Sequence, residues 1–112
     1  MKTSHLDRDK VEIFDSSLEE FIENLEQSTI AKVLRIIDLL EEFGGKLGMP
    51  YAKKIRIDVF ELRIRGKQEV RILYGFHKGK IVLLHGFVKK SQKIPPKEIQ
   101  TALTKLRYLD RS

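Results

Sequence analysis

Residues 60–88 read FELRIRGKQEVRILYGFHKGKIVLLHGFV, and the period of their apolar positions decides the fold. Phe60, Leu62 and Ile64 alternate with Glu61, Arg63 and Arg65. After a turn at Gly66-Lys67, Val70, Ile72, Tyr74 and Phe76 alternate with Arg71, Leu73, Gly75 and His77. A two-residue period is that of strands with one face toward a core. Lys78-Gly79 predicts a second tight turn. The run Ile81 to Val88 is apolar enough for a strand buried on both faces, hence central or near-central in the sheet. Three antiparallel strands are expected. The alternation puts Glu61, Arg63 and Arg65 on the face opposite Phe60, Leu62 and Ile64, with Arg71 beside them from the neighbouring strand.

On the N-terminal side, Val11 to Phe14 reads as a short first strand. Ser17-Leu18-Glu19-Glu20 has the spacing of a capping box, in which Ser17 caps a helix and Glu20 reaches back. Leu18, Phe21, Ile22 and Leu25 follow at helical spacing. A second helix is expected from about Ser28 or Thr29. Its apolar set is Ile30, Val33, Leu34, Ile37, Leu40 and Phe43, widened by Ile36 and Leu39, and Gly44-Gly45 stops it. On the C-terminal side, Lys89 to Ile94 is a basic loop, and Pro95-Pro96 opens a last helix with Ile99, Ala102, Leu103 and Leu106 on one face. The expected order is β-α-α-β-β-β-α: an α+β fold in which a helical hairpin and a C-terminal helix pack on a small, mainly antiparallel sheet. At 112 residues this is a single domain, 1–112.

Charge narrows the partners. Charged residues make up 34% of the chain and the net charge is +6, which suggests a polyanion: nucleic acid, an anionic membrane or an acidic protein. The charge is split. Residues 1–47 carry six cations against eleven acids, net −5, and the remainder carries sixteen against five, net +11. Acidic helices packing against a basic sheet explain part of this, but not the excess of eleven. With no cysteine, disulfides, thiolate nucleophiles, zinc-thiolate sites and iron-sulfur clusters are excluded. Met1 to Lys10 is too polar for a signal peptide, and no segment approaches a membrane span, so a cytoplasmic location is expected.

The chemistry open to such a chain is limited. No His or Asp/Glu pair stands at metal spacing, so neither a metal nor another cofactor is expected. His5 lies near the terminus and His77 beside a turn. His85 is a polar group in an apolar strand, which needs either a partner or a task. A satisfied sheet-face histidine is the bland alternative to a role as acid or base. Each arginine taken alone is accounted for by cross-strand pairing with Glu61 or Glu69. As a set, Arg63, Arg65 and Arg71 with the Lys89–Lys93 loop form a cationic surface suited to an RNA backbone. Arginine and lysine can also stabilise the charge that develops when a 2′-hydroxyl attacks its own phosphate, without a metal.

Phe60-Glu61-Leu62-Arg63-Ile64, Arg71-Ile72-Leu73-Tyr74 and Leu83-Leu84-His85-Gly86-Phe87-Val88-Lys89-Lys90-Ser91-Gln92-Lys93-Ile94-Pro95, with the Gly-Gly stop and Leu47-Gly48-Met49-Pro50, resemble the HigB-like, phage-derived branch of the RelE/ParE toxin superfamily. The resemblance runs from about Val11 to Leu106. It implies the toxin of a type II toxin-antitoxin pair, a ribosome-dependent mRNA endoribonuclease that leaves a 2′,3′-cyclic phosphate and a 5′-hydroxyl. By position, Arg63, Arg71 and Lys90 fall where relatives have catalytic cations, with Glu61 or His85 as general base. Arg65, Lys89, Lys93 and Lys54 would hold RNA. Some relatives carry a base-stacking tyrosine a few residues past the strand-end cation, where this chain has Ile94-Pro95-Pro96. The implied partners are a helix-turn-helix antitoxin that covers the basic face, mRNA and the ribosome, with operator DNA met only through the antitoxin and no membrane. Two other readings have the same fold or the same basic face: a ParE-like gyrase poison and a non-catalytic nucleic-acid-binding member.

Overall fold

In the computed structural model, which describes residues 10–111, the first strand β1 (Val11–Ile13) runs into Asp15, whose backbone is extended. The Asp15 carboxylate accepts the Leu18 N–H at 3.1 Å and starts helix α1 (Ser16–Glu23). The cap is therefore Asp15 and not Ser17, which is already inside the helix. A carboxylate there satisfies an orphan N–H and also faces the positive end of the helix dipole. Helix α2 (Gln27–Phe43) begins a residue earlier than expected and ends at Gly44, whose φ of +54° explains the glycine. Val33, Ile36, Ile37 and Leu40 face inward as expected, whereas Phe43, the last residue of the helix, is 47% exposed.

A single 3-10 turn (Gly44–Lys46) leads to a strand that the sequence does not announce, β2 (Ala52–Lys54). It pairs antiparallel with β3 (Phe60–Ile64), and β3 pairs with β4 (Val70–His77) and β4 with β5 (Lys80–Val88). The order β1-β5-β4-β3-β2 makes β4 the central strand and β5 its neighbour, with β1 parallel to β5 at one edge. The element order is thus β-α-α-β-β-β-β-α, and the α+β architecture holds with one more strand than expected. Ala52-Lys53-Lys54 lacks apolar alternation because an edge strand needs only backbone bonds, and its lysines discourage further strand addition. The β4–β5 turn holds Lys78 and Gly79 both at positive φ, the geometry of a tight hairpin.

Each face of the sheet has its own core. On one, α1 and α2 cover Leu62, Ile64, Val70, Ile72, Ile81 and Leu83. On the other, α3 (Pro96–Asp110) covers Val59, Leu73, Val82, Leu84 and Phe87 through Ile99, Ala102 and Leu106. Full burial of such side chains contributes about 1.5–3 kcal/mol each. At Gly86, α1 comes so near that a Cβ would stand 2.8 Å from the Phe21 ring and 2.9 Å from Leu18.

One irregularity sets the functional face. Tyr74 pairs with Leu83 and Leu73 with His85, so Leu84 is an extra residue in β5, a β-bulge. Its carbonyl accepts from Lys105 Nζ at 2.9 Å, and the same ammonium pairs with Asp15 at 2.9 Å. The bulge returns Leu84 and His85 to the same side, so His85 and Phe87 share the α3 face with Leu73 and Arg71.

Candidate nucleic-acid interface

Helix α3 covers the β4–β5 side of its face and leaves the β3–β2 side to polar groups. Cross-strand register orders them in two rows. His85, Leu73, Glu61 and Lys53 lie across β5, β4, β3 and β2, and Phe87, Arg71 and Arg63 lie beside them. The expected placement of Glu61, Arg63 and Arg71 on one face is therefore what the structure shows. It does not show a solvated face: Arg71 is 1% and Glu61 4% exposed, although both are charged.

Buried charges persist only when paired. The Glu61 carboxylate sits between two guanidiniums, Oε2 at 3.2 Å from Arg71 Nε and Oε1 at 3.6 Å from Arg63 Nε. Neither contact is aligned as a hydrogen bond, and both Nε atoms are buried without a hydrogen-bond partner among the described residues. Arg71 is held further by Nη1 donating to the Val70 carbonyl and Nη2 to Glu69 Oε1, both at 3.1 Å. Glu69 also pairs with Arg65 at 3.7 Å, and Arg63 Nη1 lies 3.3 Å from the Met49 sulfur. The result is a rigid chain of alternating charge, Arg65, Glu69, Arg71, Glu61, Arg63, with its buried part pre-organised.

Two grooves flank this chain. One of about 560 Å³ is lined by Arg63, Arg65, Glu69 and Arg71 and by Lys89, Lys90, Ser91 and Gln92 of the loop after β5. The other, of similar size, runs from Lys53, Lys54 and Arg56 past Glu61 and Arg63 to Lys93 and Ile99. They share Arg63, Lys89 and Gln92. The loop is anchored by the Lys89 N–H donating to the Glu69 carbonyl at 2.7 Å and by Ser91 Oγ donating to the Lys93 carbonyl at 2.8 Å. Cations at this density, on a concave surface, attract a phosphate backbone.

Of the residues singled out from sequence, Arg63, Arg65, Arg71, Lys89 and Lys90 line the first groove, and Glu61, Lys54 and Lys93 the second. His85 lines neither. Its Nε2 lies 2.6 Å from Glu98 Oε1 in the first turn of α3, and its ring stacks near Phe87. His77 pairs with Asp110 at 3.1 Å, and His5 lies outside the described residues. The sequence reading missed Lys53 and Arg56 as lining residues. Lys53 could have been found from its place three residues before the basic Arg56, had β2 been recognised. Among the described residues no group of three or more His, Asp or Glu is placed to hold a metal ion, and no helix is long and apolar enough to cross a membrane.

No curated protein matches the chain significantly. Residues 20–107 match the family model described as phage derived protein Gp49-like (DUF891), a family linked to RelE and toxin-like proteins. That span takes in α2, most of α3, β2 to β5 and every residue of the two grooves, and so the chain belongs to the phage-derived Gp49-like family.

Proposed function

We propose that the protein is the toxin of a type II toxin-antitoxin pair, a HigB-like, ribosome-dependent endoribonuclease that cuts translated mRNA and is neutralised by a helix-turn-helix antitoxin laid over the basic grooves. The observation that carries this reading is the buried Arg71–Glu61 pair joined to the half-buried Arg63 and flanked by the exposed Lys90. A surface that only attracts RNA has no need of buried, mutually fixed charges, whereas a site that meets a charge developing during reaction does. In the proposed reaction the 2′-oxygen attacks the adjacent phosphorus as the bond from phosphorus to the 5′-oxygen breaks. Arg71 and Arg63 face the charge that builds on the phosphate oxygens. Glu61, which lines the second groove between the two guanidiniums, accepts the 2′-hydroxyl proton. Lys90 supplies a proton to the departing 5′-oxygen. His85, outside both grooves and bound to Glu98, is assigned the structural role of holding α3 against the bulge.

The test is brief induction in cells followed by mapping of transcript 5′ ends, beside Lys90→Ala, a change on the exposed loop that leaves the core intact. New 5′-hydroxyl ends inside translated regions, reduced at least ~100-fold in the variant, are expected for loss of a general acid. Absence of such ends, or equal cutting by the variant, defeats the reading. DNA breaks without mRNA cuts would instead favour gyrase as target.

A further inference from the structure

A third cleft lies around the sheet margin from the two grooves. It has a volume of about 300 Å³ and is bounded by Lys32 and Arg35 of α2, Pro50 and Tyr51 before β2, Arg63 of β3 and Arg65 just past its end. Helix α2 belongs to the acidic half of the chain, and Lys32 and Arg35 are its only cations. Both are spent on this cleft, whose lining holds four cations and no carboxylate. Lys32 is fixed there: its Nζ donates to the Arg65 carbonyl at 3.2 Å and lies under Gly66, where a Cβ would stand 2.7 Å from it. Tyr51 is 36% exposed, and its carbonyl accepts the Arg63 N–H at 2.8 Å, which ties the ring's position to the strand that carries Arg63. Arg63 and Arg65 also line the first groove, so the positive surface is continuous from Lys90 across β3 to Arg35.

We infer that this cleft is a second nucleotide subsite, in which the base flanking the scissile pair lies against the Tyr51 ring while its phosphate is held by Arg35 and Arg65. An aromatic face beside cations is the combination that captures a single-stranded nucleotide, since every base has a face to stack and every linkage a charge. The inference rests on the RNA reading above and extends it: substrate crosses the β3 margin instead of ending in the groove, and α2 takes part in binding despite the negative charge of its half.

The test is fluorescence anisotropy of a labelled RNA hexamer, made uncleavable by 2′-O-methylation, on wild type, Tyr51→Ala, Tyr51→Phe, Arg35→Ala and Lys90→Ala. Tyr51→Ala should weaken binding roughly 5- to 150-fold, the range for loss of one stacked base. Tyr51→Phe should bind as wild type does, and Arg35→Ala should lower the slope of log affinity against log salt by about 0.7. Weakened binding by Lys90→Ala with Tyr51→Ala and Arg35→Ala unchanged overturns the subsite, leaves the RNA reading standing and frees the cleft for an acidic protein. Wild type that does not bind the hexamer at low salt overturns the subsite, and the mapping of transcript 5′ ends then decides the RNA reading by itself.

Discussion

Replacing Glu61 by glutamine removes one charge and almost no volume, at a position where the charge is 4% exposed. At 3.2 and 3.6 Å, and with an effective dielectric of about 20, the gross attraction to Arg71 and Arg63 is about 5 kcal/mol each. Most of that is offset by taking three charged groups out of water. The net effect is set by what the substitution leaves behind: Arg71 retains Glu69 as its carboxylate and the Val70 carbonyl, and Arg63 loses its carboxylate partner while its Nε stays buried. Removing one partner from a buried pair costs about 3–5 kcal/mol. Against a total stability of roughly 5–15 kcal/mol this is severe, and 3 kcal/mol corresponds to a fall in Tm of about 12–24 °C. Glu69→Gln is the comparison, because the Glu69 side chain is 38% exposed, and it should cost only about 0–1 kcal/mol. Urea and thermal unfolding of both variants, and of Arg71→Gln alone and combined with Glu61→Gln, complete a double-mutant cycle. The combined variant should lose at least ~1.5 kcal/mol less than the sum of the single losses. A Glu61→Gln protein within about 0.5 kcal/mol of wild type, or additive losses, would refute the argument that this carboxylate holds the two arginines in place.

Two further outcomes test the fold around the site. Gly86→Ala inserts a methyl 2.8 Å from the Phe21 ring and should lower the urea midpoint by an amount equivalent to about 1–3 kcal/mol; an unchanged midpoint would mean that α1 does not press on β5 there. Burial of Tyr74 raises its hydroxyl from 10.0 to about 12, so the folded state holds this proton more tightly than the unfolded chain does. The associated stability is complete below pH 10.0 and is lost as pH rises toward about 12, up to roughly 3 kcal/mol. Tyr74→Phe should lack this component of the alkaline loss, and identical pH profiles for wild type and variant would contradict it.

How much of this was legible in advance depended on whether side chains or backbone carried the information. The strands at 60–64, 70–77 and 81–88 announced themselves because alternation reports which side of a sheet is dry, and the same alternation grouped Glu61, Arg63 and Arg71. Coverage of a face is another matter. That Arg71 lies 1% exposed follows from where α3 and the Lys89–Lys93 loop come to rest, which no local pattern encodes. β2 is held by backbone bonds to β3 and shows only Ala-Lys-Lys, so it left no trace. The side of the sheet that His85 faces was hidden for a sharper reason. In an all-apolar run such as Val82-Leu83-Leu84, an added residue leaves the pattern looking the same, although it reverses the phase of everything after it. The Tyr51 cleft was invisible because its cations come from opposite halves of the charge split.

The bulge at Leu84 also divides β5 into two stretches that answer to different demands. Before it, Ile81, Val82 and Leu83 fill the two cores; after it, Gly86 gives room to α1, Phe87 stands beside Arg71, and the strand ends at the lysines that line the grooves. Because Leu84 absorbs one residue between these stretches, the phase of the second is not dictated by the first. Lys105 and Asp15 keep the joint closed from α3 and from the start of α1. The strand works as two spliced segments, so substitutions in one can be absorbed without turning the other over, and the packing that keeps the chain folded can drift in sequence separately from the end that meets a partner.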